Sequence, residues 1–376
     1  MILPLFPFYA TEMGASPTDI GLLIAAFSVA QLVAAPVWGR TSDRYGRRPA
    51  ILAGLLITGV AYLLFAWAGT LWVLLASRLV QGVGGGTIGV VQAYVADASA
   101  PAQRVKSLGW LSAVTSLGAV TGPAFGSLMI WLGGHRAPGV AAAVLAVLVA
   151  AFGWKYLKES REPISAAERE LPTPATPARA AALGILTRWS EPAPRLIWIY
   201  AIAIGAFYGT GQISPLLLDR RFGITAETAG YFIMYLGGMG VIVRSLVLGP
   251  AVDRLGEAGL ARLGIVLLAS GLGLTGLATS FPILAIGFSL MPFGTAFLFP
   301  SVTGMLSRVV PARERGLYMG LQHTFGGVSR VAFPLLAGFS MDRFGVGVPF
   351  WISGLCVLIT LPLAMLATGM PGKVET

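Results

Sequence analysis

Three arginines stand inside long apolar runs: Arg78 within 71–95, Arg244 within 225–248 and Arg330 within 316–341. A guanidinium there costs several kcal/mol unless it faces a cavity or a partner. Arg78 lies about eight residues in from Thr70, roughly 12 Å at helical rise and deeper than comfortable snorkelling allows. Arg244 and Arg330 could each meet a ligand or a carbonyl cluster, or snorkel; Arg244, five residues before Gly249, fits snorkelling better. All 16 acidic residues fall in loops, tails or helix ends, so no carboxylate is buried in a span. The chemistry on offer is therefore charge binding and conformational coupling. No phosphate-binding loop, metal-spacing cluster or nucleophile motif speaks for an enzyme, a metal or a cofactor.

The densest charge lies in Gly39-Arg40-Thr41-Ser42-Asp43-Arg44-Tyr45-Gly46-Arg47-Arg48, between two apolar runs. It reads as a tight polar loop joining two membrane helices, on the cytoplasmic side because Lys and Arg of short loops stay inside. Gly249-Pro250-Ala251-Val252-Asp253-Arg254-Leu255-Gly256 repeats it at a constant offset of 210 residues. A chain that repeats its own hairpin in this way is built of two similar halves.

The elements that must hold these groups are membrane helices. The sequence is 56% hydrophobic and 11% charged, far below the roughly 25% charged residues of a soluble domain. The net charge of +10 needs no nucleic acid, because most Lys and Arg fall in loops of one side and set orientation. The single Cys356 excludes an internal disulfide. Spans are expected near 17–38, 50–68, 71–95, 108–132 and 137–156, then 195–218, 225–248, 260–279, 281–309, 316–341 and 347–368. The halves are 1–157 and 195–369, joined by a polar, proline-rich cytoplasmic linker over 158–194 and followed by a tail at 370–376. Aligning Ile2-Leu3-Pro4-Leu5 with Ile213-Ser214-Pro215-Leu216 leaves 195–212 unmatched. The repeat thus implies that the first helix of the first half is largely absent, through a mis-assigned start or a deletion.

Gly39, Asp43, Arg44, Gly46, Arg47 and Arg48 fit the pattern G-x-x-x-D-R-x-G-R-R. In this the chain resembles the major facilitator superfamily, and within it the drug–proton antiporters of the multidrug and tetracycline efflux type. The resemblance implies a conformational latch: Asp43 against the start of the eleventh span near Arg315, Arg47 reaching Asp97, with Arg104, Asp253 and Arg254 at related places. It also ties Arg78 to proton coupling, and it matches Gly118, Gly122, Pro123 and Gly126 to a run characteristic of antiporters. Small residues on one face there let backbones approach closely. Such antiporters usually carry a coupling carboxylate in the first helix.

In such a two-half protein, polar groups within spans tend to line a central cavity. Those groups are Gln92, Tyr94, Tyr208, Gln212, Tyr231, Tyr235, Gln322, His323 and Arg330; any one can instead be an interhelical packing residue. The expectation is an all-α polytopic membrane protein, two pseudo-symmetric six-helix halves working by alternating access. Its expected activity is proton-driven efflux of small amphipathic or lipophilic compounds by a monomer in the inner membrane, C-terminus cytoplasmic. A solute importer or uniporter of the same fold is one alternative; a non-transporting sensor or defective fragment is the other.

Overall fold

The computed structural model describes residues 2, 5–100, 103–160, 177–311 and 314–366, and among these every regular element is a helix. The proline run of the linker, Arg313, the end of the last expected span and the 370–376 tail lie outside the described residues. The chain forms two compact units, 1–171 with 223–235, and 172–222 with 236–376.

Single glycines make the reversals. Positive φ occurs only at Gly14, Gly46, Gly134, Gly223, Gly256 and Gly345 among the described residues. These fall into three pairs, Gly14 with Gly223, Gly46 with Gly256 and Gly134 with Gly345, separated by 209, 210 and 211 residues. The internal repeat is thus written in backbone conformation as well as in residue types, since φ > 0 is readily open only to glycine.

In the first unit, α1 (Phe6–Glu12) precedes α2 (Pro17–Tyr45), whose start is fixed by a capping box between Ser16 and Asp19. Then come α3 (Arg47–Ala66), α4 (Leu71–Gly85), α5 (Ile88–Asp97), α6 (Arg104–Gly133) and α7 (Ala137–Tyr156). Two expectations are corrected. The charged decapeptide is not a loop: α2 runs through Tyr45 and α3 begins at Arg47, so Gly46 alone (φ 101°) turns the chain. Its charged side chains are tolerated within helix, Arg40 and Arg44 exposed and Arg47 buried among partners, and only the glycine interrupts the helix. The 71–95 span is likewise broken, between α4 and α5 at Gly86-Thr87. The glycines before this break allow close packing: a Cβ on Gly82 would lie 2.5 Å from Phe27 O, and one on Gly84 would lie 2.3 Å from Thr58 Oγ1.

The second unit starts with α8 (Ala178–Thr187), a helix where the sequence suggested only linker. Its buried Ala181 and Ile185 pack inward; Trp198 donates to Ile185 O at 3.1 Å and stacks on Trp189. Next are α9 (Pro192–Phe222) and α10 (Ala226–Ile242), the latter's first ten residues clustering with the first unit. A π-helical turn over Val243–Val247, which contains Arg244, leads into α11 (Leu248–Leu277). Gly256 (φ 66°) breaks α11, so that 248–255 continue the span of α10 and 257–277 form the next. The unit ends with α12 (Phe281–Val309), α13 (Arg315–Phe344), α14 (Val348–Ile359) and α15 (Leu361–Leu366).

Candidate functional site

The α2–α3 corner gathers its charges around one guanidinium. Arg47, whose side chain is 9% exposed, pairs with Asp43 at 2.8 Å and with Asp97, the last residue of α5, at 3.2 Å. Its Nη1 also donates to Ser42 Oγ at 2.6 Å. The sequence singled out the Arg47–Asp97 partnership, and the structure brings those residues together. Arg104, at the start of α6, donates from Nε to Ala96 O at 3.0 Å, tying α6 to the same end of α5. Arg44 lies over the Tyr45 ring; Gly39 has open space around its Cα.

A carboxylate that the sequence reading left in the linker completes this corner. Glu159 accepts from the backbone N–H of Arg47 at 2.8 Å and of Arg48 at 3.0 Å. These are the first two amides of α3, and no side chain of Gly46 can cap them. A carboxylate there satisfies orphan donors and the positive helix end together. Gly46 is doubly required, because a Cβ would sit 2.5 Å from Glu159 Oε2. Arg48 donates to Trp154 O and covers the Trp154 ring, and Tyr94 donates to Lys158 O at 2.9 Å, so the end of α7 is bound to the corner. Tyr94, expected to line a cavity, thus anchors the segment after α7 through its hydroxyl.

In the second unit, Asp253 and Arg254 are exposed, and among the described residues neither makes an ion pair. The pair at that corner is Glu257–Arg308, 2.6 Å apart. Glu257 stands 210 residues after Arg47, and Arg308 stands 211 after Asp97. The two corners therefore hold the same bridge with its charges exchanged, which residue-by-residue motif matching cannot see.

Arg78 is 2% exposed in α4. Its Nη1 donates to Gln81 Oε1 at 2.7 Å, and its guanidinium lies 3.7 Å from the centroid of the Phe6 ring of α1. The buried arginine is thus accommodated by an amide and an aromatic face, a favourable contact for a desolvated cation.

The Gly118–Gly126 run lies in an unbroken α6 despite Pro123. Pro123, Gly126 and Ser127 are buried, whereas Gly118 is exposed with no atom within 4 Å of a Cβ built on it. Close approach is thus absent at Gly118 and concentrated around Pro123. There a Cβ on Gly230 of α10 would meet Pro123 O at 2.2 Å. Ser127 Oγ donates to Ala226 O at 2.7 Å and accepts from Gly230 N at 3.0 Å, inside the first unit.

Gln92 lines a groove of about 720 Å³ between α5 and α6, with Ser112, Thr115 and Ser116 among its walls. Tyr231 and Tyr235 are exposed on the first-unit part of α10; Tyr208 and Gln212 are half-buried on α9. Gln322 is 1% exposed and faces Thr303, an interhelical position, while His323 is exposed and Arg330 half-buried on the same helix.

The profile of the Major Facilitator Superfamily matches residues 1–258 and 238–375. The chain belongs to that superfamily. It is 28% identical over 378 residues to multidrug resistance protein 2 of Bacillus subtilis (strain 168), covering 97% of this chain and 90% of that one. It is 31% identical over 350 residues to tetracycline resistance protein, class C, of Escherichia coli, covering 89% and 84%. Its fold is shared with a bacterial homologue of the human lysosomal transporter Spinster, solved inward-facing and occupied, at TM-score 0.75 and 15% identity over 98% of this chain and 92% of that one. Like these superfamily members it is a multi-pass membrane transporter of small molecules, and the all-α, two-half architecture expected from the repeat is borne out.

Proposed function

We propose that this transporter exports small amphipathic or lipophilic compounds from the cytoplasm in exchange for protons, as a monomer in the inner membrane. The observation that carries the reading is the α6 run Gly118, Gly122, Pro123 and Gly126, whose Pro123–Ser127 segment is held against α10 at Gly230. Relatives named for multidrug and tetracycline resistance support the direction. In this reading Arg78 couples protons to transport. Gly39, Asp43, Arg44, Gly46, Arg47, Arg48, Asp97 and Arg104 control one cytoplasmic corner, with Asp253 and Arg254 at the other. Gln92, Tyr208, Gln212, Tyr231, Tyr235, His323 and Arg330 face the substrate path.

The test is ethidium movement in proteoliposomes carrying an imposed pH gradient. Export predicts gradient-dependent ethidium accumulation that a protonophore abolishes. Accumulation indifferent to the protonophore would overturn the proton exchange, and no ethidium movement would overturn the efflux reading.

A further inference from the structure

The second unit carries a cationic and aromatic cluster at mid-helix that no carboxylate of a span offsets. Arg330 is fifteen residues past the start of α13 and fourteen before its end, about 22 Å and 21 Å along the axis. No arginine side chain snorkels that far, so the guanidinium must face a water-filled path or a counter-ion. Among the described residues Arg330 makes no ion pair. His323 stands seven residues earlier, two turns away on nearly the same face. Between them lies Gly326, and the notch left by its missing side chain holds the ring of Tyr200 from α9, whose Cε1 would be 3.1 Å from a Cβ there. The Tyr200 ring is edge-on to His323 and to Phe299 of α12, with centroids 6.3 and 5.3 Å apart. Beside them Gln322, buried, accepts a long contact from Thr303 at 3.4 Å, and its amide nitrogen has no hydrogen-bond partner among the described residues.

The cluster sets one cation, Arg330, among donors and rings, with no acidic side chain. At the repeat-equivalent places, 211 residues earlier, stand Ser112 for His323 and Ala119 for Arg330. The first unit's groove, lined by Gln92, Ser112, Thr115 and Ser116 among aliphatic residues, thus carries no charged side chain where the second unit offers positive charge. From this asymmetry we infer that the second unit holds a subsite for the anionic group of an amphipathic organic anion: Arg330 supplies the charge, His323 a donor, and Tyr200 and Phe299 the apolar platform. The inference rests on the proposed substrate path and adds to the lipophilic compounds carried there, ethidium among them, those bearing a carboxylate, sulfonate or phosphate. An arginine is the side chain suited to such planar oxyanions.

Two probes with the same fluorophore and opposite tails test this: dansylglycine, an anion, and dansylcadaverine, a cation. Binding to the purified full-length chain, followed by dansyl emission, should favour dansylglycine at least tenfold. Arg330→Gln should weaken dansylglycine about tenfold without weakening dansylcadaverine, and Arg330→Lys should weaken it less. Wild-type preference for the cation overturns the inference even if both variants misfold. So does an unchanged dansylglycine affinity in folded R330Q. An anionic lipid is the other source of such a head group. Displacement of dansylglycine by dioleoylphosphatidylglycerol but not by the non-fluorescent benzenesulfonylglycine would make the site a lipid site and overturn the substrate assignment. The ethidium measurement stands apart: its failure removes the efflux reading, whereas loss of anion preference removes only this one.

Discussion

Arg78 and Arg330 are both guanidiniums in membrane-length helices, yet their surroundings set different tests. Arg78 is sealed, with Phe6 stacked on it and Gln81 bonded to it. Arg78→Ala should abolish gradient-driven accumulation. Arg78→Lys keeps the charge but loses the planar group that stacks and forks, so it should retain about a tenth of the activity. A purely structural role predicts instead that gradient-driven accumulation and ethidium exchange without a gradient fall together. Coupling predicts that R78K loses most of the first and keeps the second. Glu159 makes a contrasting case, because it works on backbone: Glu159→Ala leaves two first-turn amides of α3 without their carboxylate. Loss of such a cap costs about 1–2 kcal/mol. The expected readout is a lower thermal unfolding midpoint in E159A but not in Asp43→Asn, whose carboxylate is half exposed. Equal midpoints for E159A and wild type would show that the cap contributes nothing.

At the scale of elements, the two glycine-turned corners are the same construction with opposite charge placement. Arg47 at the start of α3 reaches Asp97, and Glu257 after Gly256 reaches Arg308. If the bridge matters more than its polarity, Glu257→Arg with Arg308→Glu should restore most of the transport that either single change reduces several-fold. Failure of the double change, with both proteins folded, would mean that each charge has its own partner. This pairing was legible only in part. The motif advertised Arg47 and Asp97, because the glycines, aspartate and arginines recur together at fixed spacing. Glu257–Arg308 was hidden by its exchanged charges, although an offset of 210 to 211 residues leads directly to it. Glu159 was hidden differently, since a linker carboxylate carries no sign that it folds back onto a helix start. Hydropathy also placed a loop at 39–48, because it reads charge as interruption. The backbone obeys sterics instead, and only Gly46 leaves helical space. Arg330 could be placed within a span from sequence, but the Gly326 notch that seats Tyr200 beside it needed packing to be seen.

For the whole molecule, the repeat and the charge bias make one joint statement about orientation. The Gly46 corner carries Arg40, Arg44, Arg47 and Arg48, the Gly256 corner Arg254 and Arg262, and the 158–194 stretch adds more; the Gly69 turn carries none and the Gly134 turn only Arg136. Lys and Arg near span ends are retained on the cytoplasmic side, so the corners and the linker should lie inside and the Gly69 turn outside. In the proposed reading that arrangement puts the charge bridges of both corners on the cytoplasmic side. The single Cys356 makes the measurement direct, because Cys356→Ser leaves no thiol. In that background Gly69→Cys, where nothing lies within 4 Å of an added Cβ, and Ser190→Cys, exposed after α8, report opposite sides. A membrane-impermeant maleimide should label G69C and spare S190C in intact cells, and do the reverse in everted vesicles. Labelling of S190C in intact cells would invert the topology. The corners would then face outward, and proton-driven export through a cytoplasmic latch would be untenable however well the chain transports.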